Sequence, residues 1–323
     1  MLRIGWLILA AAVVGCVPTA AVAVEGSSAA GPIGGTDIRS AQLPPPGLYG
    51  GSVQLYAVAN EYVDGNGNVI LPDLRLQRGR VGPFLFYVPD VKVLGGSIAF
   101  AGIVPAGTEC GVLFATQRAR CVSGVGDPYV EAMWSLYLGK PHPSRDPGAF
   151  PVAEGLTIAL AFGTVIPVGK YNGFDAVTQA LTIGNNLWDF APIVAFTYVS
   201  PPLIADGTEV SAKFYWNNYL ENPATHYHTG SLINIDFAVS EKIGRFQAGV
   251  AGFYAFQVAD DKLNGVRIEP DGRKGVVLQL GPVLAYDMPE QAASIKVKAL
   301  QTVITANTVK STGVALTMVK KFQ

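Results

Sequence analysis

The chain of 323 residues carries 23 Lys and Arg against 24 Asp and Glu, a net charge of −1, and the absence of a basic stripe argues against a nucleic-acid partner. Only 15% of residues are charged while 50% are hydrophobic, and Gly (37) and Tyr (13) are abundant, whereas soluble proteins average about 25% charged residues. That deficit of charge fits a lipid-facing belt, with a large soluble β-protein built around a thick core as the alternative.

From the N-terminus, Arg3 leads into an apolar run at 4–14 and a small-residue stretch ending Ala21-Val22-Ala23, the pattern of a secretory signal peptide cleaved after Ala23. Val13-Val14-Gly15-Cys16 offers a second reading, lipoprotein processing at Cys16. No later apolar run reaches the roughly 20 residues a spanning helix needs, so passage through a membrane would use strands. Residues 24–46, rich in Gly, Ser, Ala and Pro, predict an extended arm or a small plug entering a lumen.

Beyond Gly47, strand-like segments fall at 48–61, 84–88, 91–105, 111–117, 129–138, 156–168, 187–200, 208–220, 228–240, 245–259, 275–287, 294–306 and 312–322. In the C-terminal half these alternate clearly. Val210, Ala212, Phe214 and Trp216 are apolar between Ser211, Lys213, Tyr215 and Asn217, and Ile233, Ile235, Phe237 and Val239 repeat the pattern. Segments of about ten alternating residues are the signature of a transmembrane β-barrel, whose strand count is even in bacteria. With one short early segment discounted, the expectation is an all-β, antiparallel transmembrane barrel of about 12 strands over residues 47–323. Read back from the C-terminus, the connections mostly alternate short and long, as turns and external loops of such barrels do. The long 139–153 and the short 307–311 are exceptions. Cys110 and Cys121, an even pair in an exported chain, are candidates for a disulfide that closes a hairpin, free thiols being the alternative.

No catalytic constellation or cofactor motif emerges. His226 and His228 would share one face of a strand and could share a metal, but Glu221 is the sole local carboxylate and a polar strand end is the simpler reading. Residues 163–170 imitate a phosphate loop with the wrong glycine spacing, and 64–68 begin like a calcium loop but read better as a tight turn. The residues singled out for function are aromatics and amides near strand ends: Asn185, Asn186, Trp188, Tyr198, Tyr215, Trp216, Asn217 and Tyr254. They form either a membrane-interface girdle or a lumen path for a small apolar or aromatic solute.

Several segments carry a family resemblance. Pro44-Pro45-Pro46-Gly47-Leu48-Tyr49, Tyr87-Val88-Pro89-Asp90 with Gly95-Gly96, the run Gly163-Thr164-Val165-Ile166-Pro167-Val168-Gly169-Lys170-Tyr171, Gly184-Asn185-Asn186-Leu187-Trp188 and the strand after Tyr198 resemble the meta-pathway phenol-degradation family of the MetA or SphA type. The resemblance implies an outer-membrane barrel and a transporter, and supplies no catalytic residues. The expected function is passive uptake of small hydrophobic or aromatic compounds across the outer membrane. The partners would be outer-membrane lipids, such a solute, and the barrel-assembly machinery reading the last strand near Phe322. The rivals are an envelope barrel enzyme acting on lipids and a soluble periplasmic binding or structural protein.

Overall fold

The structure, a computed structural model, describes residues 31–112, 118–173 and 181–322. The signal peptide with its cleavage after Ala23, the lipidation alternative at Cys16, residues 24–30 of the arm and the upper end of the segment at 111–117 lie outside the described residues.

Twelve long strands close into an antiparallel barrel. They are β1 (Gly47–Val63), β2 (Arg75–Val88), β3 (Gly96–Ile103), β4 (Tyr129–His142), β5 (Val152–Val165), β6 (Asp189–Val199), β7 (Gly207–Tyr219), β8 (Leu232–Ile243), β9 (Phe246–Gln257), β10 (Val276–Met288), β11 (Ala293–Ala306) and β12 (Val309–Lys321). Each pairs with its sequence neighbours. The seam is sealed by β1 against β12, from Tyr49 opposite Lys321 to Tyr62 opposite Val309, and by Phe322 N–H donating to the Leu48 carbonyl at 2.8 Å. Closure satisfies the backbone of both terminal strands, which an open sheet in hydrocarbon could not do.

The segment expected at 111–117 starts within the continuation of β3 rather than as a separate spanning strand. After Val104-Pro105, β3 continues as Ala106–Val112, which pairs with the first half of β2. Arg120–Val125 similarly leads through Gly126-Asp127-Pro128 into β4. Pro105 and Pro128 cannot donate to a ladder, so both strands break at one level, where Gly126 N–H instead donates to the Pro105 carbonyl at 2.7 Å. Above the break, Cys110 and Cys121 lie directly opposite each other, and a disulfide joins them with their Cα atoms 4.0 Å apart.

The parity read from the sequence takes a direction. Val210, Phe214, Val239, Val250 and Leu284 face outward and are exposed, while Ser211, Lys213, Tyr215, Asn217, Asn234, Asp236 and Asp287 face inward and are buried. An outward apolar band around an inward polar lining is the arrangement a bilayer demands. At the end where β1 starts and β12 finishes, called proximal below, the long connection 143–151 is tied down rather than loose. Buried Asp206 accepts from Ser144 Oγ at 2.5 Å, Arg145 N–H at 3.0 Å and Gly244 N–H at 2.9 Å, linking three connections. At the distal end, residues 64–68 form the expected tight turn, with Asp64 Oδ1 accepting from the amides of Asn66 and Asn68.

Candidate functional site

The lumen is partly filled by the arm. Gly34 N–H and Thr36 N–H donate to the two carboxylate oxygens of Asp236 at 2.8 and 2.9 Å, and the Thr36 and Tyr215 hydroxyls are 2.8 Å apart. Asp37 accepts from Lys296 Nζ and Lys298 Nζ, each at 2.5 Å. Arg39 forms a two-pronged bond with Asp287 at 3.0 and 2.8 Å, donates through Nε to Gln247, and its backbone N–H donates to Glu209. Ala41 N–H donates to Thr197 Oγ1 at 3.1 Å, and Ser135 Oγ to the Ala41 carbonyl at 2.7 Å. Gly34 has a positive φ of 69° and sits where an added Cβ would lie 2.7 Å from the Phe253 ring, so any other residue is strained there and displaces that ring. Buried charges survive here because each is paired across the lumen.

Between the arm and the wall formed by β1, β2 and β10–β12 lies a cavity of about 380 Å³. Its walls are mainly aliphatic, among them Val53, Leu55, Leu76, Val277, Leu300 and Val309, with Gln279 and Ser311 as neutral polar groups. Its distal end is set by Arg78, Arg80 and Glu109. There Arg80 Nη2 also donates to the carbonyl of Thr182, which belongs to the connection before β6 and reaches into the barrel mouth. Leu181 beside it packs on Ala59, Tyr62, Leu74 and Leu76.

None of the eight residues singled out from the sequence lines this cavity. Trp188, Tyr198, Trp216 and Tyr254 are on the outer face: Trp216 is 55% and Tyr198 45% exposed, Trp188 stacks on Phe190 at 5.8 Å, and Tyr254 lies 5.0 Å from Phe256. Amphipathic rings at both ends of an apolar band form girdles. Tyr215 and Asn217 do face inward, each 1% exposed, but Tyr215 anchors the arm and Asn217 Nδ2 donates to the Leu232 carbonyl. Asn185 and Asn186 knit loops together, the first through its N–H to Asp127 and the second through Nδ2 to Asn222. His226 occupies a turn at φ 55° and its Nδ1 lies 3.0 Å from Glu221 Oε1, so it does not share a strand face with His228.

The cavity residues of β2 are hidden in the sequence because Gly79, Gly82 and Pro83 disguise the first half of that strand as loop. The alternation Leu76, Arg78, Arg80 was the available signal.

A family model described as "Putative MetA-pathway of phenol degradation" matches residues 59–318. The chain belongs to that family. No curated protein sequence matches this member of the phenol-degradation family. Among solved structures, it is similar to the COG4313 outer membrane channel from Pseudomonas putida F1, with TM-score 0.73 and 14% identity over 89% of this chain and 100% of that chain. It is also similar to the transport unit of the autotransporter AIDA-I from Escherichia coli, with TM-score 0.50 and 9% identity over 89% of this chain and 93% of that chain. Such identities speak for a shared barrel fold.

Outside the spanning strands, a distal clasp gathers around Asp261. Its carboxylate is fully buried and accepts from Tyr227 Oη at 2.5 Å, Gly230 N–H at 2.7 Å and Gln257 Nε2 at 2.6 Å. Burial pushes the Asp261 carboxyl up to about 6, against the pull of those donors. A raised carboxyl favours the folded clasp when protonated. The clasp is therefore tightest below the unfolded pKa near 4 and loosens as pH rises through 6, by on the order of 2–3 kcal/mol. Hydrogen-exchange protection of the Gly230 amide, corrected for intrinsic rate, should fall between pH 4 and 7 in the wild type and stay flat in Asp261→Asn.

Proposed function

We propose that this protein is an outer-membrane channel through which small hydrophobic or aromatic compounds pass without chemistry and without an energy source. The observation that carries this reading is the lumen cavity, whose long wall is aliphatic and lies beside the polar, ion-paired anchors of the arm. An apolar solute entering it exchanges water for hydrocarbon contact, worth about 25 cal/mol per Å² of buried apolar area. The ion-paired anchors of the arm offer no such gain. The family and the barrel fold shared with a solved outer membrane channel support the same reading.

Export by an N-terminal signal peptide belongs to this reading, as does insertion by the barrel-assembly machinery through the strand that ends near Phe322. Outer-membrane lipids would contact the apolar band. The arm, entering from the proximal end, would act as the plug that narrows the lumen to the cavity. This orientation places the proximal turns in the periplasm and the clasp outside the cell.

Uptake of a panel of aromatic solutes into cells with and without the protein tests the function. Faster uptake of at least the neutral monoaromatic members is expected with the protein present, and equal rates for every solute would remove the transport claim while leaving the fold intact.

A further inference from the structure

The aliphatic wall of the cavity is interrupted at one level by a polar row. Gln279 of β10, Thr302 of β11 and Ser311 of β12 stand side by side. The ladders shift register on this row, between Leu278 and Gln279 where β10 meets β11 and between Ala59 and Glu61 where β1 meets β12. Register shifts of this kind re-aim side chains away from the regular alternation of a strand. Gln279 and Ser311 line the cavity, as does Phe253, which stands opposite Gln279 on β9.

The hydrogen bonds of the row fix which way the Gln279 amide points. Thr302 Oγ1 donates its single proton to the Ser311 carbonyl at 3.0 Å and accepts from Ser311 N–H at 3.0 Å. Its third contact, with the Gln279 amide at 3.2 Å, therefore has to be a donor, which assigns that position to Nε2. Nε2 also donates to Ser311 Oγ at 2.8 Å. Both Nε2 protons are thereby engaged, and Oε1 stands on the cavity wall with no donor among the described residues.

An acceptor fixed in an apolar wall distinguishes solutes that carry a donor from those that do not. A solute without a donor covers Oε1 and leaves it unpaired, which costs more than the missing bond alone because the oxygen also loses water. A hydroxyl donates to it, while Val277, Leu300, Val309 and the Phe253 ring receive the apolar body.

We propose that Gln279 makes the cavity selective for neutral apolar molecules that carry a hydroxyl donor. The hydroxyl lies on Gln279 Oε1, and Thr302 and Ser311 are positioning residues that hold the amide in place. The inference rests on the reading of the cavity as the solute path and names the class of solute that path prefers. A molecule of the same shape without a donor gains the wall contacts alone.

The test is calorimetric titration of the full folded barrel in detergent, against a detergent blank, with benzyl alcohol and with its isomer anisole, which has no donor. The ratio of the two affinities is compared between wild type and variant, so that the differing hydration of the solutes drops out. In Gln279→Met, whose unbranched side chain keeps the volume without the amide, the ratio should fall about fivefold or more through weaker binding of benzyl alcohol alone. Thr302→Val keeps the acceptor and removes the hydroxyl that orients it, and there the ratio should fall about twofold, which keeps the proposal testable if Gln279→Met does not fold. Uptake of both solutes by cells with and without the protein reads passage separately. A ratio unchanged in either folded variant, with protein-dependent uptake of both solutes intact, overturns the selectivity and spares the channel. No binding and no protein-dependent uptake overturn both, whereas the expected ratios without such uptake support the site and remove the passage.

Discussion

Asp37→Ala is expected to raise the single-channel conductance of the reconstituted protein several-fold and to open residues 31–46 to protease. Asp37 is 1% exposed and is the shared acceptor of Lys296 and Lys298, which lie two residues apart on one face of β11. Its loss leaves two ammonium groups side by side in the lumen without the carboxylate that bonds both, and breaking a buried pair of this kind costs about 3–5 kcal/mol. In the wild type that energy favours the docked arm; in the variant the lysines favour water, which enters only if the arm withdraws. Thr36→Ala, which removes the hydroxyl's hydrogen bonds to Tyr215 and Asp236 and leaves every ion pair in place, should cost about 1–3 kcal/mol and leave conductance near wild type. Bilayer recordings of the two variants separate charge anchoring from simple contact. Equal conductance in wild type and Asp37→Ala would contradict the assignment of this ion triad as the anchor.

The second large effect concerns the outer face. Val250 lies near the middle of β9, 54% exposed, opposite outward Val239 and Pro282. Val250→Arg would place a guanidinium in hydrocarbon, at a cost of about 2–4 kcal/mol near the bilayer midplane. The fraction refolded into lipid vesicles, measured against urea, should shift by that amount, while Val250→Leu should leave it almost unchanged. On a soluble protein the same arginine would face water and move stability by no more than about 0.5 kcal/mol. The substitution therefore weighs the lipid-facing belt against the soluble alternative directly.

The outward parity of β7 to β10 was legible because lipid and lumen impose opposite polarity on successive residues, and the period survives in the letters. It was least legible in β2, where Gly79, Gly82 and Pro83 carry no alternation and the lumen residues Arg78 and Arg80 look like loop charges. The arm showed as a composition shift, but its anchors could not be read. Asp37 meets Lys296 and Lys298, and Arg39 meets Asp287, across more than 240 residues, and no local pattern encodes such pairing. The aromatic residues near strand ends were recognisable as a group. Assigning them to girdle or lumen required knowing which parity faces in, and the structure places Trp188, Tyr198, Trp216 and Tyr254 outside. The cavity is built instead from small aliphatic residues, whose types are too common to stand out.

A channel of this kind requires the barrel to stand in the outer membrane with its apolar band in lipid. Membrane fractionation followed by electrophoresis of boiled and unboiled samples tests this directly, since a closed barrel keeps its fold in detergent and migrates differently until heated. Recovery in the outer-membrane fraction as a heat-modifiable band is the predicted result, and recovery in the soluble periplasm with identical migration before and after boiling would contradict it.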